Sequence, residues 1–292
     1  MIPDAPPLRV WILVVSLLVL GLSLLAFLEI REISGVNARF RSHHRQRIHE
    51  FAQRVSVESR QRVVILGTSL LFRSARTHNL VKMAKELGLG RMRFLILARP
   101  QGSFYDYLPL MDSILDLSPD LLLIESDLLF SIEYVGFCSR EFLRRLPGLI
   151  SRRIRGGVDK GDGRTRMQRD PQRYLKRRQQ AMRQRMALPP VRPGLIRAAA
   201  QRLRSQGVRL AVVDIPRAAP LEMVKNRQRD LHHREFIDYL LAKCRIPWLT
   251  YPGELRPYLF RDYSHFTPEG GRVFLNWLLP QVQSLLQAKD PV

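Results

Sequence analysis

The chain has 292 residues, a length that accommodates one α/β domain of ordinary size together with additional segments. Its apolar fraction of 46% is sufficient to form a hydrophobic core, so the composition excludes the class of proteins that lack such a core. The formal net charge of +22 is extreme for a globular protein and predicts attraction to polyanions: nucleic acid, anionic lipid headgroups or acidic polysaccharide.

The first sixty residues predict a membrane anchor followed by a stalk. Residues 10–28, VWILVVSLLVLGLSLLAFL, lack charged side chains and are long enough to cross a bilayer as a helix. No good signal-peptidase site follows, so we predict an uncleaved anchor over residues 1–30, with Trp11 at one membrane interface. A buried core helix is the alternative. Residues 31–60 predict a basic helical stalk.

From residue 61 onward, short apolar runs alternate with helical patterns. We predict five strands, at residues 62–67, 92–98, 119–127, 208–216 and 246–252. We predict helices at residues 80–90, 103–117, 193–207, 234–245 and 267–286. Strands that are apolar on both faces and alternate with helices are typical of a parallel sheet covered on both sides. The sequence therefore predicts one three-layer α/β/α domain over residues 61–292.

A basic insertion at about residues 139–187 interrupts this alternation. Its GGVDKGDGR stretch predicts a loop or disorder, whereas QRYLKRRQQAMRQRM has the composition of a helix. Two interpretations remain open: a solvated insertion, or a surface that binds a polyanion or a membrane. Tyr174 is nearly the only aromatic residue in the basic part, which argues against stacking with single-stranded nucleic acid.

Two motifs follow predicted strands at opposite ends of the domain. Ser69 follows the first strand in RVVILGTSLLFRSA, and Asp262 and His265 follow the last strand in RDYSHFTPEGG. A hydroxyl nucleophile needs a general base, and the base needs a carboxylate that fixes its tautomer. Because strand carboxyl ends share one edge of a parallel sheet, the two motifs can meet there. The alternative interpretations are that Ser69 caps a helix and that Asp262 caps the last helix region.

This combination of motifs resembles the SGNH (GDSL-type) hydrolases and acyltransferases. The resemblance covers roughly residues 60–290, with the basic insertion as an addition. It implies a flavodoxin-like fold with Ser69 as nucleophile, His265 as base and Asp262 as its orienting carboxylate. It also implies that the backbone N–H of Gly102, in ARPQGSFYDY, donates to the oxyanion, beside the N–H of Ser69 itself.

The third block of that family usually reads Gly-x-Asn-Asp, and this chain departs from it. Here the third strand ends in IESDLLF, without the asparagine that would donate to the oxyanion. Ser126 can donate a hydrogen bond from this position, whereas an ionised Asp127 cannot. We therefore expect an oxyanion hole of Ser69, Gly102 and Ser126 that lacks one family donor. Such a loss costs about a hundred- to a thousand-fold in rate.

A membrane-anchored member of this family resembles the bacterial proteins that add or remove acetyl groups on cell-surface polysaccharides. This implies a serine esterase or O-acyltransferase whose partners are an acylated, acidic polysaccharide and a multi-span membrane acyltransferase. We expect no cofactor and no metal, since Cys138 and Cys244 lack metal-ligand spacing. These cysteines form either two buried thiols or one disulfide. A second hypothesis is a catalytically weak domain that serves as a binding or assembly component.

The membrane orientation involves a conflict. Basic residues are more numerous after the anchor than before it, which places the large domain in the cytoplasm. Long domains translocate despite local charge, and the expected substrate lies outside. We therefore expect a single-pass protein of a bacterial inner membrane with an extracytoplasmic domain. A cytoplasmic binder of nucleic acid or anionic lipid through residues 139–187 is a third, weaker hypothesis.

Overall fold

The computed structural model describes residues 8–54, 61–74, 77–100, 102–130 and 170–288. They belong to two compact units, one with the described residues up to His43 and the other with those from His44 onward. The basic loop predicted before residue 170 and Cys138 lie outside the described residues, so the disulfide stays an open prediction. The side chain of Cys244 is buried.

Helix α1, Leu8–Arg54, includes the predicted anchor and most of the predicted stalk. Within the part of the chain that the structure describes, no helix combines the length and the apolar character needed to cross a membrane. The anchor at residues 10–28 stays a prediction. In the second unit, the end of α1 buries Ile48, whose side chain is 5% exposed.

The second unit contains a five-stranded parallel sheet in the order β2-β1-β3-β4-β5. Its strands are β1 Arg62–Gly67, β2 Arg93–Ala98, β3 Leu121–Glu125, β4 Arg209–Asp214 and β5 Trp248–Thr250. All five lie at the predicted positions, because continuous apolar runs form strands that are buried on both faces. The order reverses beside β1, so the carboxyl ends of β1 and β3 meet at the switch point where such sheets place their sites.

Helices cover both faces of this sheet. After α1 they are α2 Ser69–Ser74, α3 Thr77–Glu86, α4 Met111–Leu115, α5 Pro171–Met186, α6 Pro193–Ser205, α7 Ala219–His232, α8 Arg234–Asp238 and α9 Pro268–Gln287. On one face, α2, α3 and α9 pack on residues such as Ile65 and Val213. On the other face, α6 packs on β4, where Val212 is buried. The predicted three-layer α/β/α fold is confirmed.

Two predicted helices differ from the observed elements. Residues 103–117 form two 3₁₀ turns, Phe104–Asp106 and Leu108–Leu110, before the short α4. Pro109 lies in the second turn and has no backbone N–H, so one continuous α-helix is disfavoured there. The predicted helix at 234–245 is α8 followed by a π-helical turn, Tyr239–Lys243. Helix α7 was not predicted at all.

Candidate active site

Ser69 is the first residue of α2, two residues beyond the end of β1. Thr68, between them, accepts a hydrogen bond at its Oγ1 from the backbone N–H of Leu70, at 3.2 Å. Thr68 therefore caps the start of α2, which makes the interpretation of Ser69 as the cap wrong. The hydroxyl of Ser69 is half-buried and is available for another partner.

Glu125, the last residue of β3, holds the turn between β1 and α2 through hydrogen bonds to Thr68. Its two carboxylate oxygens accept from the N–H and the hydroxyl of Thr68, both at 2.6 Å. Burial raises the pKa of Glu125 to about 7, and the negative charge of Asp127 adds to the rise, against the hydrogen bonds from Thr68. A Cβ at Gly67 would lie 2.7 Å from Glu125 Oε2, so only glycine lets the carboxylate approach so closely.

The Asp–His turn, residues 262–265, carries the other two predicted side chains. Asp262 Oδ1 accepts from the backbone N–H of His265 at 2.9 Å and from that of Ser264 at 3.3 Å. Tyr263, inside the turn, has a φ of +61°, in the left-handed region. The turn is closed by its own aspartate, which fixes Asp262 and His265 on one short loop.

The same aspartate binds the imidazole of His265. Nδ1 of His265 donates to Asp262, at 2.8 Å from Oδ1 and 2.9 Å from Oδ2. Burial of Asp262 acts to raise its pKa, but the hydrogen bonds and charge of His265 prevail and lower the pKa to about 2. An ionised carboxylate holds the proton on Nδ1, so the lone pair of Nε2 is exposed on the opposite side of the ring.

That lone pair points to the serine. Ser69 Oγ lies 3.3 Å from His265 Nε2, across 196 positions of sequence. The distance is slightly longer than an ideal hydrogen bond, which is common for such pairs without bound substrate. The structure thus brings together the three predicted residues Ser69, His265 and Asp262 in the order nucleophile, base and carboxylate.

The backbone around the Asp–His turn holds it against the sheet edge. Phe260 and Phe266 form an antiparallel bridge, and the carbonyl of Leu259 accepts from the N–H and the hydroxyl of Thr267 at 2.8 and 3.1 Å. Thr267 also caps α9 by accepting from the N–H of Gly270 at 3.1 Å. The interpretation of Asp262 as the cap of the last helix is therefore wrong.

The oxyanion donors differ from the expectation. The N–H of Gly102 already has an acceptor, because it donates to the carbonyl of Arg99 at 3.0 Å. The hydroxyl of Ser126 donates to Asp214 Oδ1 at 2.7 Å. In this arrangement neither group is available to an oxyanion. The remaining predicted donor is the N–H of Ser69, in the first turn of α2, where a helix leaves its amides without intrahelical acceptors.

A network of buried charges lies behind these residues, at the ends of β3 and β4. Arg217 binds Asp127, and both side chains are less than 10% exposed. Lys225, which is 1% exposed, lies 3.1 Å from Asp214 Oδ1 and 2.5 Å from Glu222 Oε1. Burial acts to raise the pKa of Asp127, but Arg217 and then Arg185 prevail and lower it, which keeps Asp127 an ionised acceptor.

Sequence reasoning missed this network. Nothing in the polar stretch around Lys225 shows that a lysine occupies a core position of a helix. The one available signal was Asp214, a carboxylate at the end of an apolar strand. Burial opposes its ionisation, but Lys225 and Arg229 lower the pKa of Asp214 to about 2. The network fixes the loops after β3 and β4. It also holds the Asp–His turn, because the N–H of Ala218, next to Arg217, donates to the carbonyl of Tyr263 at 3.0 Å.

Helix α5, from the basic insertion, packs against the same edge. Arg178 Nη2 donates to Ser264 Oγ at 2.7 Å, and Arg185 Nη1 lies 3.3 Å from Asp127 Oδ2. For residues 171–186 the interpretation as a merely solvated insertion is therefore wrong. Helix α5 borders the candidate site, because its side chains contact the Asp–His turn and the loop after β3.

Comparisons with known proteins give fold-level likeness only. No family model and no curated protein matches the chain. A candidate acylhydrolase from Bacteroides fragilis is 15% identical, with a TM-score of 0.42, and the match covers 82% of this chain and 97% of that one. A catalytic mutant of the acetylxylan esterase Axe2 from Geobacillus stearothermophilus is 10% identical (TM-score 0.41; 82% and 99% covered). The esterase EstA from Pseudoalteromonas sp. is 9% identical (TM-score 0.40; 77% and 98% covered). At these identities and TM-scores the likeness carries no reaction or substrate over to this chain.

Proposed function

We propose that this chain is a serine esterase or O-acyltransferase of the SGNH type. The observation that carries the proposal is the contact series from Ser69 Oγ to His265 Nε2 and from His265 Nδ1 to Asp262. The three side chains come from opposite ends of the domain and meet at the carboxyl edge of the sheet. Neither Ser69 nor Asp262 is needed as a helix cap, so their arrangement is best explained by chemistry.

In the proposed mechanism, His265 Nε2 takes the proton from Ser69 Oγ as the oxygen attacks the carbonyl carbon of an ester. Asp262 stabilises the imidazolium that forms, and it remains ionised because its pKa is about 2. The tetrahedral intermediate then collapses, and His265 gives its proton to the departing alcohol. The product of this first half is an acyl-Ser69 ester. Water or a sugar hydroxyl, deprotonated by His265, then attacks the acyl carbonyl. As this second tetrahedral intermediate collapses, the bond to Ser69 Oγ breaks and His265 returns the proton to that oxygen.

The oxyanion of the intermediate faces the start of α2. The N–H of Ser69 donates to it, and the helix N-terminus contributes favourable partial charge. Since Gly102 and Ser126 are engaged elsewhere, the hole is poorer than one with three donors. We expect modest turnover on small esters, about a hundred- to a thousand-fold below that of a site with one more donor.

We further propose that the substrate is an acyl ester, most simply acetyl, on an acidic cell-surface polysaccharide. The net charge of +22 supports an anionic partner. In this proposal residues 10–28 anchor the chain in a bacterial inner membrane, the domain is extracytoplasmic, and a multi-span membrane acyltransferase is its partner. A reporter that is active only in the periplasm, fused after Val292, tests the location: activity supports it, and an inactive but intact fusion contradicts it.

A second candidate function is a binding or assembly component with the same fold and little catalysis. The engaged Gly102 amide and the ion-paired Asp127 favour it, because they occupy positions that the family uses for oxyanion donors.

Hydrolysis of p-nitrophenyl acetate by the full chain in nonionic detergent separates the two functions. An esterase gives turnover that Ser69→Ala and His265→Ala both abolish. If the folded wild-type chain is no faster than these variants, the catalytic proposal is wrong and the binding function is favoured.

A further inference from the structure

Helix α5 presents one face to the candidate site. The ring of Tyr174 is stacked on that of Tyr263, with centroids 6.3 Å apart, and Arg178 donates to Ser264. Both contacted residues belong to the Asp–His turn. At the end of the helix, the carbonyl of Met186 accepts from His233 Nε2 at 2.6 Å. These contacts fix α5 beside the catalytic residues, so its other face is held at a defined place near the site.

The outer face of α5 is a stripe of positive charge. Its exposed cations are Arg173, Lys176, Arg177 and Arg183. Their spacing of three, four and seven positions places them on one side of a helix, over about 15 Å of its length. Residues 171–186 contain no Asp or Glu, and no ion pair joins these four cations to an acidic side chain in the described part of the chain. The nearest acidic side chain on the helix is the cap Asp170, which accepts from the backbone N–H of Arg173 at 2.9 Å, so the stripe keeps an excess of positive charge.

We propose that this stripe binds the acidic polysaccharide that bears the ester, and holds it across the edge of the sheet where Ser69 lies. The inference rests on the proposed function and adds the residues that would recognise the substrate. A row of arginine and lysine side chains suits a polymer with regularly spaced carboxylates, because each cation can pair with a different sugar. A polymer bound along α5 would lie near Ser69, because α5 contacts the Asp–His turn that carries His265, the general base for Ser69.

The chemistry of the helix favours a polysaccharide over other polyanions. Single-stranded nucleic acid is bound by cations together with exposed aromatic rings, and Tyr174 is turned inward onto Tyr263. A helix that lies on a membrane keeps an apolar face for the acyl chains. In α5 the side that carries Tyr174 and the buried Met186 is packed on the domain. The outer face offers charge alone.

The test measures binding of polygalacturonate to the full chain in nanodiscs of phosphatidylcholine, with dextran as the neutral polymer. The variant is Arg173→Gln/Lys176→Gln/Arg177→Gln. The matched control, Lys85→Gln/Arg91→Gln/Lys243→Gln, removes three exposed cations from the amino-end edge of the sheet. We expect wild type to bind polygalacturonate and not dextran. The dissociation constant should rise about tenfold or more in the α5 variant, with a salt slope lower by about two to three, as counterion release predicts.

Less than about a twofold change is expected for the control, because its cations lie away from the stripe. Equal weakening in both triple variants would mean that net charge alone attracts the polymer, and no weakening in the α5 variant would remove the stripe from binding; either result overturns the proposal. Discs with added phosphatidylglycerol test the bilayer as the occupant. The proposal is also wrong if that lipid abolishes polysaccharide binding to wild type by engaging α5.

The failure of this proposal is distinguishable from failure of the proposed function. We expect Ser69→Ala to bind polygalacturonate with wild-type affinity. If the chain binds the polymer through α5 but never forms an acyl-enzyme, the binding proposal stands and the catalytic proposal is wrong. If the chain turns over esters but both triple variants bind the polymer equally, the catalytic proposal stands and the binding proposal is wrong.

Discussion

The pH dependence of stability is a sharp test of the support beneath Ser69. Glu125 ionises at about 7 in the folded chain, against an ordinary value of 4.5, because burial and the nearby Asp127 disfavour its charge. Below pH 4.5 both folded and unfolded chains hold the proton, and the shift has no effect on stability. Between 4.5 and 7 only the unfolded chain loses it, so the free energy of unfolding falls as pH rises.

The size of this effect follows from the shift. At about 1.4 kcal/mol per pH unit, the loss amounts to about 3 kcal/mol, and it is complete above pH 7. Glu125→Gln mimics the protonated carboxyl: its carbonyl accepts from the N–H of Thr68, and its amide donates to the Thr68 hydroxyl. The variant cannot ionise and should escape the loss.

Thermal unfolding of the full chain in nonionic detergent, at pH 5 and pH 8.5, measures the difference. For a domain of this size, about 3 kcal/mol corresponds to about 6–12 °C. The melting temperature of Glu125→Gln relative to wild type should therefore rise by nearly this amount from the lower pH to the higher. Glu254→Gln, at an exposed glutamate, is the control and should show no such trend. A relative melting temperature of Glu125→Gln that is independent of pH would refute the reasoning.

Three further predictions concern single residues. Asp262→Asn should reduce kcat for p-nitrophenyl acetate by about a thousand- to ten-thousand-fold in a chain that still folds, because His265 loses the partner that fixes its tautomer; a loss below tenfold would contradict the role of Asp262. Gly270→Ala places a Cβ 2.1 Å from the carbonyl of Leu259, so it should lower the free energy of unfolding by more than about 2 kcal/mol in urea titrations, and an unchanged midpoint would show that the contact relaxes freely. Asp127→Asn should destabilise by about 3–5 kcal/mol, since it leaves Arg217 buried without its counter-charge, and a faster, equally stable variant would instead indicate an oxyanion position.

The sheet and the three candidate catalytic residues were predictable because their signals are local. A buried parallel strand is a continuous apolar run, as in RVVILG, and the Asp–His turn is encoded within four residues. The fold then needs only to place strand carboxyl ends at one edge, which a parallel sheet does.

The predictions that failed depend on contacts that the pattern of residue types along the chain does not encode. The amide of Gly102 was assigned to an oxyanion, but it donates to the carbonyl of Arg99, a contact that no sequence pattern specifies. Helix α7 was missed because Lys225, a charged residue, occupies one of its buried positions and interrupts the apolar periodicity. The position of α5 beside the site depends on contacts such as Arg178 with Ser264, 86 positions apart.

Labelling with a fluorophosphonate probe tests the central claim most directly, since the probe reacts with a serine that a neighbouring base has activated. The full chain in nonionic detergent would be treated with the probe, and the modified peptide identified by mass spectrometry. The account predicts one adduct at Ser69 that is absent from His265→Ala, in which Ser69 remains but its base is lost. A folded wild-type chain without an adduct at Ser69, or an equal adduct in His265→Ala, would contradict it.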